Sequence, residues 1–384
     1  MSATNTTATP VRSRAAIVWR RIYRGTLMVL TFIICLGLII ASFGGHLNPS
    51  SYPGACIMVM LFPAWLAAWV LISLLDLIWC RKALVIAVLS LLACIHAVWD
   101  FTPLNIFSRQ PAEGNTTFTL LSFNVENFSS MSQQYPDGTN PALSHILATD
   151  ADIVCLQEAP PLSSSNWGRV RFAQAQIDSI YARYPYIFAS GGDQMIFSKF
   201  PTEAIHTGSA SRYNRIALAH VKINGQIFTV INVHLQSYNL TGSDKQLYQG
   251  ITSPNIDSLS LRNDFSSVKS QLLSKIQRAA ERRANEAERV VNYINRFGGP
   301  NVIVTGDFND VPGCYTIHRL ADADLSQVYS EVATGPAITY YANSFYFRID
   351  HTMYRGNLRP LSLDIGGSHA SDHLPVLTRF EILP

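Results

Sequence analysis

At 384 residues the chain can hold one large domain or two ordinary ones, and its charge is unevenly spread. Residues 1–99 carry seven Lys/Arg and a single acid, Asp76, whereas residues 100–384 carry 22 basic and 25 acidic residues, so the net +3 divides into +6 and −3. A slightly acidic C-terminal part argues against a partner bound through many phosphates, which needs a basic footprint.

Residues 1–25 form a basic N-terminus, and residues 26–99 read as three membrane helices. Thr26 to Phe43 is 18 residues without a charge, Ala55 to Trp79 is a second apolar stretch interrupted by Pro63 and Asp76, and Ala83 to Trp99 is a third. A span takes about 20 apolar residues, and only helices can be open-ended in a bilayer. A cleaved signal peptide would account for the first stretch alone, but the two behind it favour permanent anchoring. Five basic residues precede the first stretch, Arg81 and Lys82 sit in the tight second connection, and residues 44–54 have none. The positive-inside rule then places the N-terminus and the 80–82 turn in the cytoplasm and everything after Trp99 outside. This describes an integral protein of a bacterial inner membrane or a plasma membrane. Asp76 and His96 fall within spans, where ionisable groups are functional by default. Asp76, however, is expected to pair or snorkel near Arg81 and Lys82, with no transport role. Cys155 and Cys314 lie outside the spans and are expected to be buried thiols rather than a bridge.

Residues 100–116 mix Pro, Gly and polar residues without periodicity and read as a linker to a domain at 117–384. Strand-like runs follow at Phe118–Val125, Asp152–Glu158, Gln194–Ser198, Arg215–Ile223, Gln226–Leu235, Asn301–Thr305, Phe347–Tyr354 and Leu374–Ile382. Asn224-Gly225 between two of them is a two-residue hairpin turn. Helical patterns cover Pro141–Thr149, Ala173–Tyr184 and Leu261–Phe297, the last an amphipathic segment long enough to admit one break. Hairpins mixed with helices predict an α+β sandwich with largely antiparallel sheets. Residues 236–260 read as a long loop.

Polar residues recur where these strands end. Asn301-Val-Ile-Val-Thr-Gly-Asp-Phe-Asn-Asp310 joins a buried strand to Asp307 and Asn309, whose alternate spacing predicts that both face the same side. A carboxylate and a carboxamide there can hold a hard cation, a nucleophilic water or a phosphoryl oxygen, although Asp and Asn also simply close turns. The other strand ends supply Asn124 and Glu126, Gln157 and Glu158, Asn232 and His234, Asp350 and His351, and Asp372 and His373. Each alone has an ordinary explanation as a turn, a cap or a satisfied histidine. Six such ends in one domain point to one site.

The motifs FNVENF, LQE, NVHL, GDFN, IDH and SDHLP, in this order, resemble the endonuclease/exonuclease/phosphatase superfamily of DNase I-like proteins over roughly residues 116–384. The resemblance implies a four-layer α/β sandwich of two mostly antiparallel sheets flanked by helices, here behind an α-helical membrane region. It further implies a divalent cation, usually Mg2+ with Mn2+ or Ca2+ as alternatives, and hydrolysis of a phosphoester by water. Carried over by position, Asn124 and Glu158 would be metal-side ligands, and Asp307 and Asn309 would position the water and the phosphoryl group. His234 would contact the phosphate or assist proton transfer. Asp350 and His373 would pair, with Asp372 a further metal ligand. Oxygen ligands of this kind suit magnesium or calcium better than zinc. The family's frequent Arg-plus-Gln pattern in the long helix is not clear at Arg282, Arg283 and Asn285. The substrate is expected to be a lipid headgroup, an inositol phosphate or nucleic acid, with no protein partner. A nuclease is the alternative within the same chemistry, and a catalytically silent binding protein the alternative outside it.

Overall fold

The computed structural model describes residues 14–129, 138–162, 172–189, 193–205, 216–238, 265–342 and 345–384, so most of the 236–260 stretch lies outside the described residues. Two six-stranded sheets are built from them. The first contains β1 (Thr117–Asn124), β2 (Ile153–Gln157), β3 (Tyr186–Ala189), β4 (Gln194–Ser198), β11 (Leu358–Ile365) and β12 (Val376–Ile382), in the order β11-β12-β1-β2-β4-β3. The second contains β5 (Thr202–Ile205), β6 (Ile216–Ile223), β7 (Gln226–His234), β8 (Val302–Asp307), β9 (Ser326–Gln327) and β10 (Asp350–Arg355), in the order β5-β6-β7-β8-β10-β9. Only β1·β2 and β7·β8 pair in parallel, one pair at the heart of each sheet.

Side-chain alternation makes each central strand face two cores at once. In β1, Phe118 and Leu120 point between the sheets, while Leu121 and Phe123 meet α6 (Pro141–Thr149) and α7 (Gln174–Arg183) on the outer face. In β8, Ile303 points between the sheets, while Val302 and Val304 pack on Val290 and Ile294 of α8 (Phe265–Phe297) and on Ile317 of α9 (Tyr315–Ala321). Three buried apolar layers between four layers of elements are the expected α/β sandwich. The long helix α8 is unbroken from Phe265 to Phe297. Asn224 and Gly225 both take positive φ, 47° and 80°, as the hairpin turn requires. Strands β3 and β5 were not expected, because each has only four residues and neither is fully buried on one face. Strand β11 carries Pro360 beside a register shift at the sheet edge, which hides its strand signal. Cys155 and Cys314 are buried free thiols, as expected.

The N-terminal region is helical: α1 (Arg14–Phe43), α2 (Ala55–Met60), α3 (Phe62–Trp79), α4 (Arg81–Ala93) and α5 (Ile95–Phe101). The helices that begin the chain and that run from Phe62 to Trp79 are long and apolar enough to cross a membrane, while α4 and α5 meet at a 66° bend beside Cys94. The third apolar stretch is therefore two short helices rather than one straight span. The expectation for Asp76 is corrected. It is fully buried, and its carboxylate accepts a 2.6 Å hydrogen bond from the Thr31 hydroxyl of α1, while Arg81 and Lys82 are exposed. At this depth a neighbouring hydroxyl is the available donor.

The helices stand up, down and up, with one end on the C-terminal domain. At the far end Arg24 Nε donates to the Trp79 carbonyl (3.0 Å). At the near end the His46 ring stacks on His318 of α9 with centroids 3.8 Å apart, and Trp99 Nε1 donates to the carbonyl of Ser330 in α10 (Val328–Val332) at 2.9 Å. Gly45 approaches Gly313 so closely that a Cβ at Gly45 would lie 1.7 Å from the Gly313 carbonyl oxygen. After α5, the Ala112 amide and the Asn115 side chain both donate to Glu381 of β12 (2.6 and 2.8 Å).

Burial, reinforced by the stacked His46, pulls the His318 pKa from its ordinary 6.5 down to about 4. The folded value lies below the unfolded one, so the unfolded chain takes up the proton first. The stability His318 contributes is therefore full above pH 6.5 and is lost as pH falls towards about 4. The thermal unfolding midpoint of the full-length protein in detergent is expected to fall more steeply over that window than that of His318→Gln. Parallel pH profiles for the two proteins would show that His318 is not the titrating group.

Candidate active site

Strand direction and register assemble the site. In the first sheet β1 and β2 finish together, Asn124 beside Gln157, and antiparallel β4 begins there, Gln194 beside Gln157. In the second, β7 and β8 finish together, His234 beside Asp307, and antiparallel β10 begins there, Asp350 beside Asp307. The two ends face each other. A buried carboxamide pair ties them: Gln157 Nε2 donates to Asn232 Oδ1 (2.6 Å), and Asn232 Nδ2 donates to the Leu156 carbonyl (2.8 Å). Gln157 and Asn232 are thus the fasteners beneath the site.

Asp307 is its centre, with 1% of its surface exposed. Its Oδ1 accepts from the Asn309 amide (2.8 Å), and its Oδ2 accepts from Asn309 Nδ2 (3.1 Å) and from Asn124 Nδ2 (3.0 Å) across the gap between sheets. Two imidazoles complete the ring, His373 Nε2 at 3.6 Å and His234 Nε2 at 3.8 Å from Oδ2. Burial pushes the Asp307 carboxyl up to about 6; His373 opposes the shift and Asp350 adds to it. Asp307 and Asn309 do converge, but not by strand alternation. Asn309 has left the strand with φ of 51°, and its amide is pinned between Asp307 and the Leu235 carbonyl (3.0 Å). Gly306, with φ of 138°, leaves no room for a Cβ, which would sit 2.0 Å from the Val233 carbonyl oxygen.

Both imidazoles are held from behind by carboxylates. An ionised carboxylate can only accept, so His373 Nδ1 donates to Asp350 Oδ2 (2.8 Å) and His234 Nδ1 donates to Asp193 Oδ2 (3.0 Å). Each ring is thereby turned with Nε2 towards Asp307. Burial alone would lower both histidines. The surrounding carboxylates outweigh it, Asp350 and Asp307 raising His373 to about 10, and Asp193 with Asp307 raising His234 to about 9. Both rings are therefore imidazolium at neutral pH.

A second group of oxygens lies beside Asn124. Glu158 accepts from Asn124 Nδ2 (3.2 Å) and Asn127 Nδ2 (3.3 Å). Burial raises the Glu126 carboxyl, and Asp372 and Glu158 raise it further. Asp372 is raised by burial and by Glu158 against the pull of His373. These three carboxylates crowd one another, and Glu126 Oε2 is buried without a hydrogen-bond partner. Hard oxygen donors in mutual repulsion, one of them orphaned, fit a divalent cation. Asp307, Asp350 and His373 likewise present ligand atoms within 4.8 Å of one another, although His373 Nδ1 is already committed to Asp350. Among the described residues, positive φ at Glu126, Asn127, Phe128, Glu158 and Asn309 gathers backbone strain here.

All eight residues singled out from the sequence, Asn124, Glu158, His234, Asp307, Asn309, Asp350, Asp372 and His373, stand at this junction. Asp193 was not singled out, and Glu126 was named at the end of its strand without a role. Asp193 immediately precedes β4, as Asp372 and His373 precede β12; in an antiparallel neighbour the start of a strand lies at the same end. His351 points away, its Nε2 2.9 Å from the Asp310 carbonyl, and burial lowers it to about 3. Arg283 lies behind the site, 1% exposed, with Nη2 3.3 Å from Asp310 Oδ1 and its guanidinium 4.3 Å above the Tyr238 ring.

Two facing sheets that bring carboxylates, carboxamides and two carboxylate-held imidazoles to one end define an α/β sandwich of the DNase I-like class. A model of the Endonuclease/Exonuclease/phosphatase family matches residues 121–373, and the chain belongs to that family. Among solved structures, an endonuclease/exonuclease/phosphatase from Beutenbergia cavernae is 14% identical with a TM-score of 0.47, covering 70% of this chain and 72% of its own. A humanized D. rerio TDP2 carrying 14 mutations is 17% identical with a TM-score of 0.43, covering 69% and 98%. An endonuclease/exonuclease/phosphatase from Bacteroides vulgatus is 16% identical with a TM-score of 0.43, covering 70% and 99%. None of the curated proteins matches the chain by sequence.

Proposed function

We propose that the chain is a membrane-anchored, divalent-metal-dependent phosphoesterase whose catalytic domain faces the outer side of the membrane. The observation that carries this reading is Asp307, a buried carboxylate approached by two imidazoles, each held by its own carboxylate.

Hydrolysis forms a bond from a water oxygen to phosphorus and breaks the bond to the leaving oxygen, which ends with a proton that the water gives up. Asp307 is ionised above about pH 6 and is the acceptor for the water's proton. Asn309, whose two carboxamide N–H groups go to Asp307 and to the Leu235 carbonyl, holds the Asp307 carboxylate in place beside the water and the phosphoryl group. His373 and His234, both cationic, meet the charge that builds on the phosphoryl oxygens, and His373 is placed to return a proton to the leaving oxygen. Asp350 and Asp193 position them. Asn124, Glu126, Glu158 and Asp372 would hold Mg2+ or Mn2+, which when bound supplies further charge neutralisation.

Anchoring rests on α1 and α3 as spans. The 44–60 connection and the end of α5 both lie on the catalytic domain, and basic residues flank the opposite ends, as expected if that domain is outside. A reporter active only in the cytoplasm, fused after Pro384, is expected to stay silent; a signal would reverse the orientation.

Hydrolysis of bis(p-nitrophenyl) phosphate by the full-length protein in detergent is expected to vanish in EDTA and return with magnesium or manganese. Undiminished turnover in chelator would remove the metal from the reading.

Asp350 and His373 act as one unit in this scheme, so removing either should lose most of what removing both loses. His373→Ala is expected to lower kcat by about 10²–10³, the scale of one preorganised donor. Asp350→Asn should keep the fold, checked by circular dichroism, and lose much of the same rate. A fully active Asp350→Asn protein, or losses that simply multiply in the double mutant, would separate the pair.

A further inference from the structure

We propose that the substrate is a phosphoester carried on a membrane lipid and cleaved at the bilayer surface. This rests on the membrane-anchored phosphoesterase reading and names its substrate class.

The segment that leads into the second membrane helix forms part of the support of the site. Helix α2 ends at Met60, and Phe62 opens α3. Val59 of α2 is 2% exposed in a cluster with Val311, Cys314 and Ile349, and Met60 packs on the same cluster beside Tyr340 and Phe347. Two of these cluster residues adjoin catalytic groups in sequence, since Ile349 precedes Asp350 and Val311 follows the Asp307–Asp310 turn. The Tyr340 ring meets the His373 imidazole edge-on with centroids 5.0 Å apart, and the two residues also form a backbone bridge. On another side the Tyr238 hydroxyl lies 3.5 Å from Met60 Sδ, and Tyr238 carries Arg283, which is paired with Asp310. One cluster of side chains thus lies between the start of a membrane helix and the reacting imidazole. Since a span begins where the hydrocarbon begins, the site is held at headgroup depth.

Two large apolar side chains stand exposed beside this wall. Leu61, between Met60 and Phe62, is 47% exposed, and Tyr346, beside Phe347, is 61% exposed. Neither packs in the interior, and at headgroup depth both have acyl chains to meet. The polar groups that converge on Asp307 include two imidazoles and, among the described residues, no lysine or arginine. That suits one phosphate group rather than the row of phosphates in a nucleic acid, and the −3 charge of residues 100–384 agrees.

The test uses the full-length protein reconstituted with magnesium into vesicles of phosphatidylethanolamine, phosphatidylglycerol and sphingomyelin. Release of headgroup or phosphate from these lipids is compared with turnover of bis(p-nitrophenyl) phosphate and of a single-stranded oligonucleotide in solution. Vesicle lipid is expected to be cleaved in preference to both. Leu61→Gln and Tyr346→Ser are each expected to lower turnover of vesicle lipid by about tenfold, the scale of one large apolar contact, while turnover of the soluble diester stays within about twofold. Cleavage of the soluble diester or the oligonucleotide with vesicle lipid untouched would overturn the lipid assignment and leave the phosphoesterase standing. Equal losses on soluble and vesicle substrates would overturn the role of this surface, and no turnover of any substrate would overturn both readings.

Discussion

A carboxylate removed from water is the constraint around which the C-terminal domain is arranged. Burying an ionised Asp307 without partners would cost several kcal/mol, so the chain surrounds it with donors: the backbone and carboxamide of Asn309, the carboxamide of Asn124, and two imidazolium rings. Each ring needs its own counter-charge, which brings in Asp350 and Asp193. The result is an alternating row of negative and positive groups rather than a collection of independent side chains. Its members are strongly coupled, because every one lies in the low-dielectric space that makes the others expensive to leave unpaired.

The row can exist only because of sheet register. A slip of one residue in β7·β8 or β8·β10 would turn His234 or Asp350 to the opposite face of its sheet and leave Asp307 without that neighbour. The Gln157–Asn232 hydrogen bond fixes the separation of the two sheets directly beneath the row. It is a polar contact within a largely apolar interior, so it specifies one relative placement where hydrophobic packing alone would tolerate several.

Much of this was legible in the sequence, and for definite reasons. The β-branched run Val302–Val304, the Asn224-Gly225 turn and the apolar period of the long helix each carry a strong local signal, and they placed β8, the β6·β7 hairpin and α8. Polar residues at strand ends marked eight positions of the candidate site. What escaped depended on neighbours. Strands β3 and β5 are too short to show a period. Asp193 serves the site only because β4 runs antiparallel to β2. Asp76 was read against Arg81 and Lys82, its neighbours in sequence, whereas its partner Thr31 sits 45 residues away on another helix. Asn232 and His234, two residues apart on β7, face the same side of the sheet, and only the neighbours each meets there make one a fastener and the other a site residue.

The seam between Val59 and the Val311, Cys314 and Ile349 cluster joins parts of the chain made at different times. At roughly 5–20 residues per second, Val59 leaves the ribosome on the order of ten seconds or more before Val311. The first sheet closes later still, because β12, near the C-terminus, lies between β1 and β11. The helices and their 44–60 connection are therefore made before the C-terminal domain can complete itself. The domain matures against a helical platform already made, and a nascent chain cut short before Val376 lacks the strand that joins β1 to β11.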